Sequence, residues 1–211
     1  MRVIAGKFRS RSLRSLRGMD LRPTSDRLRE TLFDVLAAGD PHALNDSVWV
    51  DFFAGTGAVG IEALSRGAAM VYFVESAPAA AQLIQQNLES LQAKKAFRIM
   101  QRDARRAMSE LQSLSVEANF IFLDPPYRMR EAYRETLQKL ADSPIATHAL
   151  IIVEHEKRFD PGEQHGSLIR LRKLEQGGAA LSFYRRQDDR VYSGTSGGSA
   201  ASSQGQTPGA T

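Results

Sequence analysis

Cysteine is missing altogether from the 211 residues, which removes disulfides, thiolate nucleophiles and cysteine-ligated zinc or iron–sulfur centres. Histidine is scarce: His42, His148, His155 and His165 show no paired metal-ligand spacing. No metal is therefore expected, and His155 is expected as a solvated loop residue. No apolar run approaches the ~20 residues that span a bilayer, and no apolar signal-peptide core follows the basic start. The hydrophobic and charged fractions, 42% and 25%, are those of an ordinary soluble protein. The length allows one domain with a sizeable core plus an appendage. The simplest expectation is a metal-free, cytoplasmic protein, with a monomer as the default state and no membrane partner.

Acidic residues are also missing from one place. The first 19 residues carry Arg2, Lys7, Arg9, Arg11, Arg14 and Arg17 and no Asp or Glu, so the rest of this +4 chain is net negative. Localised positive charge of this kind suits an arm that meets phosphates. A solvated, disordered leader is the blander alternative. Val3, Ile4, Phe8, Leu13 and Leu16, interleaved with the cations, predict a packed hairpin instead. Arg22 opens the stretch Arg22-Pro23-Thr24-Ser25-Asp26-Arg27, in which Thr24 or Ser25 can cap a helix whose buried face carries Leu28, Leu32, Val35 and Leu36. Residues 1–40 are read as a basic RNA-binding extension, 41–190 as the main domain and 191–211, rich in Gly, Ser, Ala and Thr, as a disordered tail.

From Val48 onward, apolar strand patterns alternate with helical ones. Strands are predicted at 48–53, 70–74, 97–100, 119–123 and 149–153, and helices at 58–66, 78–91, 104–114 and 130–141. Near-continuous apolar strands separated by helices indicate an α/β fold with a mostly parallel sheet covered on both faces. Residues 168–174 and 179–185, joined around Gly177 and Gly178, read as a closing antiparallel hairpin.

In such a sheet, ligands sit outside the carboxyl ends of the strands, where the strand order reverses. Three features fall at that edge. The run Asp51-Phe52-Phe53-Ala54-Gly55-Thr56-Gly57-Ala58-Val59-Gly60 joins the first strand to its helix, its glycines letting the backbone approach a ligand closely. Glu75, with Ser76 beside it, ends the second strand and can accept from two ribose hydroxyls. Asp103 and Ala104 follow the third and could receive an adenine amine. Gly55, Gly57, Gly60 and the Glu75 spacing also fit a dinucleotide fingerprint, so a nicotinamide-dependent oxidoreductase is a legitimate rival. Against it, no hydride-transfer constellation stands out.

The fourth strand ends in Asp124-Pro125-Pro126-Tyr127. This turn suits the task of holding a planar base by its exocyclic amine while a methyl group is delivered. Such an amine is a poor nucleophile because its lone pair is delocalised into the ring. Asp124 can accept one N–H and the Pro125 carbonyl the other, while Pro125 and Pro126 fix φ and remove competing donors. Tyr127 can stack on the base, a contact worth ~1–3 kcal/mol. Aligning amine, methyl and sulfur contributes up to ~7–11 kcal/mol. The target base must leave its stack, at a cost of a few kcal/mol.

The run Asp51 to Gly67, the Arg22–Arg27 element and Asp124 to Tyr127 together resemble the bacterial 16S ribosomal RNA guanine-N2 methyltransferases, over nearly everything but the tail. The four-residue turn alone is shared with DNA adenine-N6 methyltransferases. The resemblance implies a seven-stranded class I, Rossmann-like methyltransferase fold. It implies S-adenosylmethionine over Asp51, Phe53, Ala54, Gly55, Thr56 and Gly57, with Glu75 and Ser76 at its ribose, Asp103 and Ala104 near its adenine, and Asp124 bordering both donor and target. It further implies 16S rRNA or the small ribosomal subunit as partner, with the guanine that the family's name numbers 966 as target. Phe53 departs from the general class pattern, standing where many members have the first glycine of the loop. A non-catalytic RNA-binding module would keep the arm and fold but would not need Asp124 and Tyr127.

Overall fold

A computed structural model describes residues 1–15 and 25–187. In chain order the elements are α1 (Asp26–Ala37), β1 (Val48–Phe52), α2 (Ala58–Ser65), β2 (Met70–Val74), α3 (Pro78–Ser90), β3 (Phe97–Met100), α4 (Ala104–Ser113), β4 (Phe120–Leu123), α5 (Arg130–Ala141), β5 (Leu150–Glu156), β6 (Gln164–His165), β7 (Leu168–Gln176) and β8 (Ala179–Arg186). They form one sheet in the order β3-β2-β1-β4-β5-β8-β7-β6. The first five strands are parallel to one another, and β8, β7 and β6 close the sheet antiparallel.

Side chains alternate across the sheet because the strand period is two. Trp49, Phe73, Phe122 and Ile152 face α1, α2 and α3 in one core. Val50, Phe52, Ile121, Leu123, Ile151 and Val153 face α4 and α5 in the other. Burial of both faces explains why these strands read as continuous apolar runs. Trp49 stacks on Phe33 of α1 at 5.5 Å between ring centroids and meets Phe120 at 5.2 Å, locking α1 onto the middle of the sheet.

Helix starts follow their local chemistry. The Ser25 side chain accepts from Leu28 N at 3.1 Å and caps α1, so of the two expected caps it is Ser25 that serves; Thr24 lies outside the described residues. Pro78 opens α3, where a missing N–H costs nothing.

Several expectations change. The sheet has one strand more than the seven expected, because Gln164 and His165 pair with Ile169 and Leu168 at the edge. β5 runs three residues beyond Val153, held by antiparallel partners Leu181, Ala180 and Ala179 on β8. His155 is consequently no solvated loop residue. It is fully buried, with Nε2 2.9 Å from Ser182 Oγ and Nδ1 2.9 Å from the Glu156 carbonyl, and burial holds its pKa below the usual histidine value.

The amino-terminal segment does fold back on itself, but through a single antiparallel bridge, Arg2 with Ser12, and a 3-10 turn at Gly6–Phe8. Val3 and Leu13 are buried while Arg2, Lys7, Arg9, Arg11 and Arg14 remain exposed. Its anchor is Glu62, fully buried on α2, whose carboxylate accepts from Ile4 N at 2.8 Å and Ala5 N at 2.9 Å. Gly6 is required at this junction: its φ is +78°, and a Cβ there would lie 1.9 Å from the Ser65 carbonyl oxygen. Arg17, Arg22 and the tail from residue 191 lie outside the described residues.

Candidate active site

The strand order reverses between β1 and β4. From β1 the chain steps outward to β2 and β3, then returns to pair β4 on the other side of β1. The turns leaving β1 and β4 therefore lie side by side, and Asp124 N reaches the Phe52 carbonyl at 3.5 Å. A crevice at this point is where an open α/β sheet takes ligands.

The β1–α2 turn is built by three left-handed residues, Phe53 (φ 60°), Gly55 (φ 56°) and Gly57 (φ 76°). Gly57 N donates to the Ala54 carbonyl at 2.7 Å, and Ala54 N to Val74 on the neighbouring strand at 3.0 Å, so the turn is pinned at both ends. Phe53 has a Cβ where glycine would be relaxed, a strain of about 1 kcal/mol. Its ring is used: with Asp103, Ala104, Arg105 and Met108 it walls a cleft of about 260 Å³, flat enough on one side for a purine.

Two carboxylates secure this turn from beneath and beside. Asp51 is almost fully buried and accepts from Gly60 N at 2.9 Å; burial raises its pKa to about 7. Gly60 has no room for a side chain, since a Cβ would lie 2.4 Å from Phe73 Cε1. Glu75, at the end of β2, accepts from Gly55 N at 2.9 Å and from Ala77 N at 2.8 Å. An anion so fixed keeps lone pairs for a diol. Ser76 beside it is exposed. Asp103 serves first as the cap of α4, accepting from Arg106 N at 2.9 Å, and that N–H holds its carboxyl below the ordinary range. Thr56 is buried, and its carbonyl accepts from Asn87 Nδ2 at 3.0 Å.

Across the crevice stands the β4–α5 turn. Asp124 is half-buried; burial, then Glu154, then Asp51, drive its carboxyl well above the usual range. Pro125 is buried, Pro126 exposed and Tyr127 half-exposed. The Pro125 carbonyl has a resident partner, Tyr133 Oη of α5, donating at 2.9 Å. One of its lone pairs is thereby taken and one left over. Burial and the neighbouring Asp124 push the Tyr133 hydroxyl upward, so it stays a donor.

Three residues of this region escaped sequence reasoning. Tyr133 carries a signal, an aromatic hydroxyl on the buried face of an amphipathic helix, where it needs a partner. Glu62 carries another, a lone acid inside the apolar helix Ala58–Ser65. Glu154 had none beyond its place at a strand end. Among the described residues no three His, Asp or Glu side chains converge as a metal site requires, and no helix is long and apolar enough to cross a membrane.

The family model described as conserved hypothetical protein 95 matches residues 1–185. Ribosomal RNA small subunit methyltransferase D of Escherichia coli is 41% identical over 157 residues, 74% of this chain and 75% of that protein. YlbH of Bacillus subtilis, provisionally named an rRNA methyltransferase, is 33% identical over 189 residues, 89% of this chain and all of that one. Among solved structures, yhhF from Escherichia coli, provisionally named a methyltransferase, superposes with a TM-score of 0.72 at 34% identity, covering 88% of this chain and 97% of the other.

Proposed function

The chain belongs to the conserved hypothetical protein 95 family, and from that membership we propose that it methylates ribosomal RNA, transferring a methyl group from S-adenosylmethionine to the exocyclic N2 amine of one guanine in 16S rRNA. The single observation that carries this reading is the placement of Asp124 directly across the strand-order reversal from the Phe53–Gly57 turn.

The residues present fit the donor. Gly55 and Gly57 open the backbone, Glu75 offers an anchored carboxylate to ribose hydroxyls, and the Phe53–Asp103–Ala104 cleft accepts a flat adenine. When bound, the donor supplies an electrophilic methyl on cationic sulfur; the amine nitrogen forms its bond to carbon as the sulfur–carbon bond breaks, and one amine proton departs. Asp124 accepts an amine N–H and is placed to take that proton. Its raised pKa matches that duty, since a base works best near the ambient pH. The second lone pair of the Pro125 carbonyl, oriented by Tyr133, takes the other N–H. Tyr127 stacks on the base and excludes water from one face.

The amino-terminal arm grips RNA phosphates. Its five described cations point outward while Val3 and Leu13 hold it to the domain, the arrangement that phosphate binding needs. The protein acts in the cytoplasm as a monomer, arm and sheet edge serving one RNA segment. The test is incubation of the purified protein with labelled donor and small-subunit rRNA, then nucleoside digestion and mass mapping. N2-methylguanosine at one site is expected. Label in N6-methyladenine of DNA, or none in RNA, would overturn the reading.

A further inference from the structure

Nothing in the two-proline turn itself distinguishes guanine from adenine, since each has an exocyclic amine. The next strand supplies a difference. β5 pairs β4 in parallel with Leu123 opposite Val153, so Asp124 and Glu154 follow as neighbours on adjacent strands, roughly 4.8 Å apart along the sheet. They share the sheet face that carries Phe122 and Ile152. Glu154 is only 4% exposed, yet it lines a cleft of about 150 Å³ together with Ser25, Arg27, Gln176 and Gly177. Gln176 adds an independent sign of a missing ligand: its side-chain oxygen is buried without a hydrogen-bond partner. Turning that carboxamide about its last torsion presents either the oxygen or the NH2 to the cleft.

We propose that Glu154 selects the target base: its carboxylate accepts the N1–H of guanine beside Asp124 at the 2-amine, while Gln176 donates to O6. The assignment rests on the methyl-transfer reading above and specifies the base it takes. Guanine offers two adjacent donors and one acceptor along this edge. Adenine offers an acceptor at N1, which would face a buried carboxylate and find no donor there. A buried acceptor set against another costs more than a missing hydrogen bond, which is why sites built around a substrate N–H reject analogues without it. The mutual repulsion of Asp124 and Glu154 is relieved when two base N–H groups enter between them.

The test compares two RNA fragments that differ only at the target, guanine in one and 2-aminopurine in the other. Both have the 2-amine, but 2-aminopurine has an acceptor at N1 and no O6. The wild-type protein should prefer guanine by about 10³-fold in kcat/KM. Glu154→Gln, which can donate to N1, should narrow that ratio at least ~10-fold. Gln176→Ala should lower the guanine rate about 10-fold and leave the 2-aminopurine rate unchanged. S-adenosylhomocysteine affinity, measured by calorimetry, should be the same in all three proteins, showing each variant folded. Equal wild-type rates on the two bases, or an unchanged ratio in folded Glu154→Gln, would overturn the role of Glu154 while leaving methyl transfer standing. No methylation of guanine by the wild-type protein would instead remove the reading on which it rests.

Discussion

Two groups of buried carboxylates sit some way apart in this molecule and are treated in opposite ways. Glu62, on α2, is fully matched: two backbone N–H groups, Arg66 Nε at 2.8 Å and Arg29 Nε at 3.8 Å surround it. Arg29 in turn donates to Asp26 at 3.0 Å and to the Arg2 carbonyl. At the ligand edge, Asp51, Asp124 and Glu154 are gathered together, and Asp124 is raised by burial and by both of the others. A buried acid ringed by cations and N–H groups builds structure, whereas like charges crowded into one place raise pKa values and favour a ligand that brings donors. The contrast separates the anchor of the arm from the site of chemistry.

The comparison breaks most visibly at Asp124. Asp124→Ala should reduce methyl transfer by about 10³-fold, with S-adenosylhomocysteine affinity within roughly threefold of wild type if donor and target sites are as separate as proposed. Activity within tenfold would dissolve the distinction. Next in size, Glu62→Ala leaves the buried Arg29 charge uncompensated and should cost about 3 kcal/mol or more, read from urea unfolding. A destabilisation below about 1 kcal/mol would show the arm anchored elsewhere.

The sign of the pH dependence sharpens the contrast further. Asp51 has a folded-state pKa of about 7 against an ordinary value of 3.8, so between these values the folded state holds a proton that the unfolded state has released. Stability is therefore greatest below about pH 4 for this group and falls as pH rises toward 7, by at most ~1.4 kcal/mol per unit. Asp124 adds a contribution of the same sign. Asp51→Asn keeps an acceptor for Gly60 N and should flatten the fall, raising stability at about pH 8 by roughly 1–2 kcal/mol. A slope unchanged in that variant would refute the assignment. The smallest effect belongs to the arm. Replacing Arg9 and Arg11 should weaken RNA binding and reduce the slope of log affinity against log salt by ~0.7 for each phosphate no longer neutralised. Arg11 also donates to the Ser90 carbonyl at 2.6 Å, so Arg9 is the cleaner single substitution.

Much of the fold was legible in the chain because its signals are local. Strand and helix periods from Val48 onward, the Ser25 cap and the proline at the start of α3 each depend on neighbours within a few residues. The extension of β5 was not legible, since only the β8 partner strand keeps Glu154, His155 and Glu156 extended. For the same reason His155, polar and near a predicted strand end, was misplaced in solvent. The arm was recognised as packed from its interleaved apolar residues, but its means of attachment was not. That attachment depends on Glu62, whose nearest arm partner is 57 residues away in the chain.

The sequence alone determined which residue types stand at the ends of successive strands: the glycine turn after Asp51, Glu75, Asp103 and Asp124. Short-range backbone preferences suffice for that, so an ordered series of strand-end chemistry could be read directly. Which of those ends meet was decided only by the sheet. The return of β4 to the free side of β1 sets Asp124 against Phe53, and the pairing of β5 with β4 sets Glu154 beside Asp124. The energy that enforces these neighbours comes from burying both sheet faces, a long-range and non-directional effect. It leaves no mark on the spacing of the carboxylates it brings together.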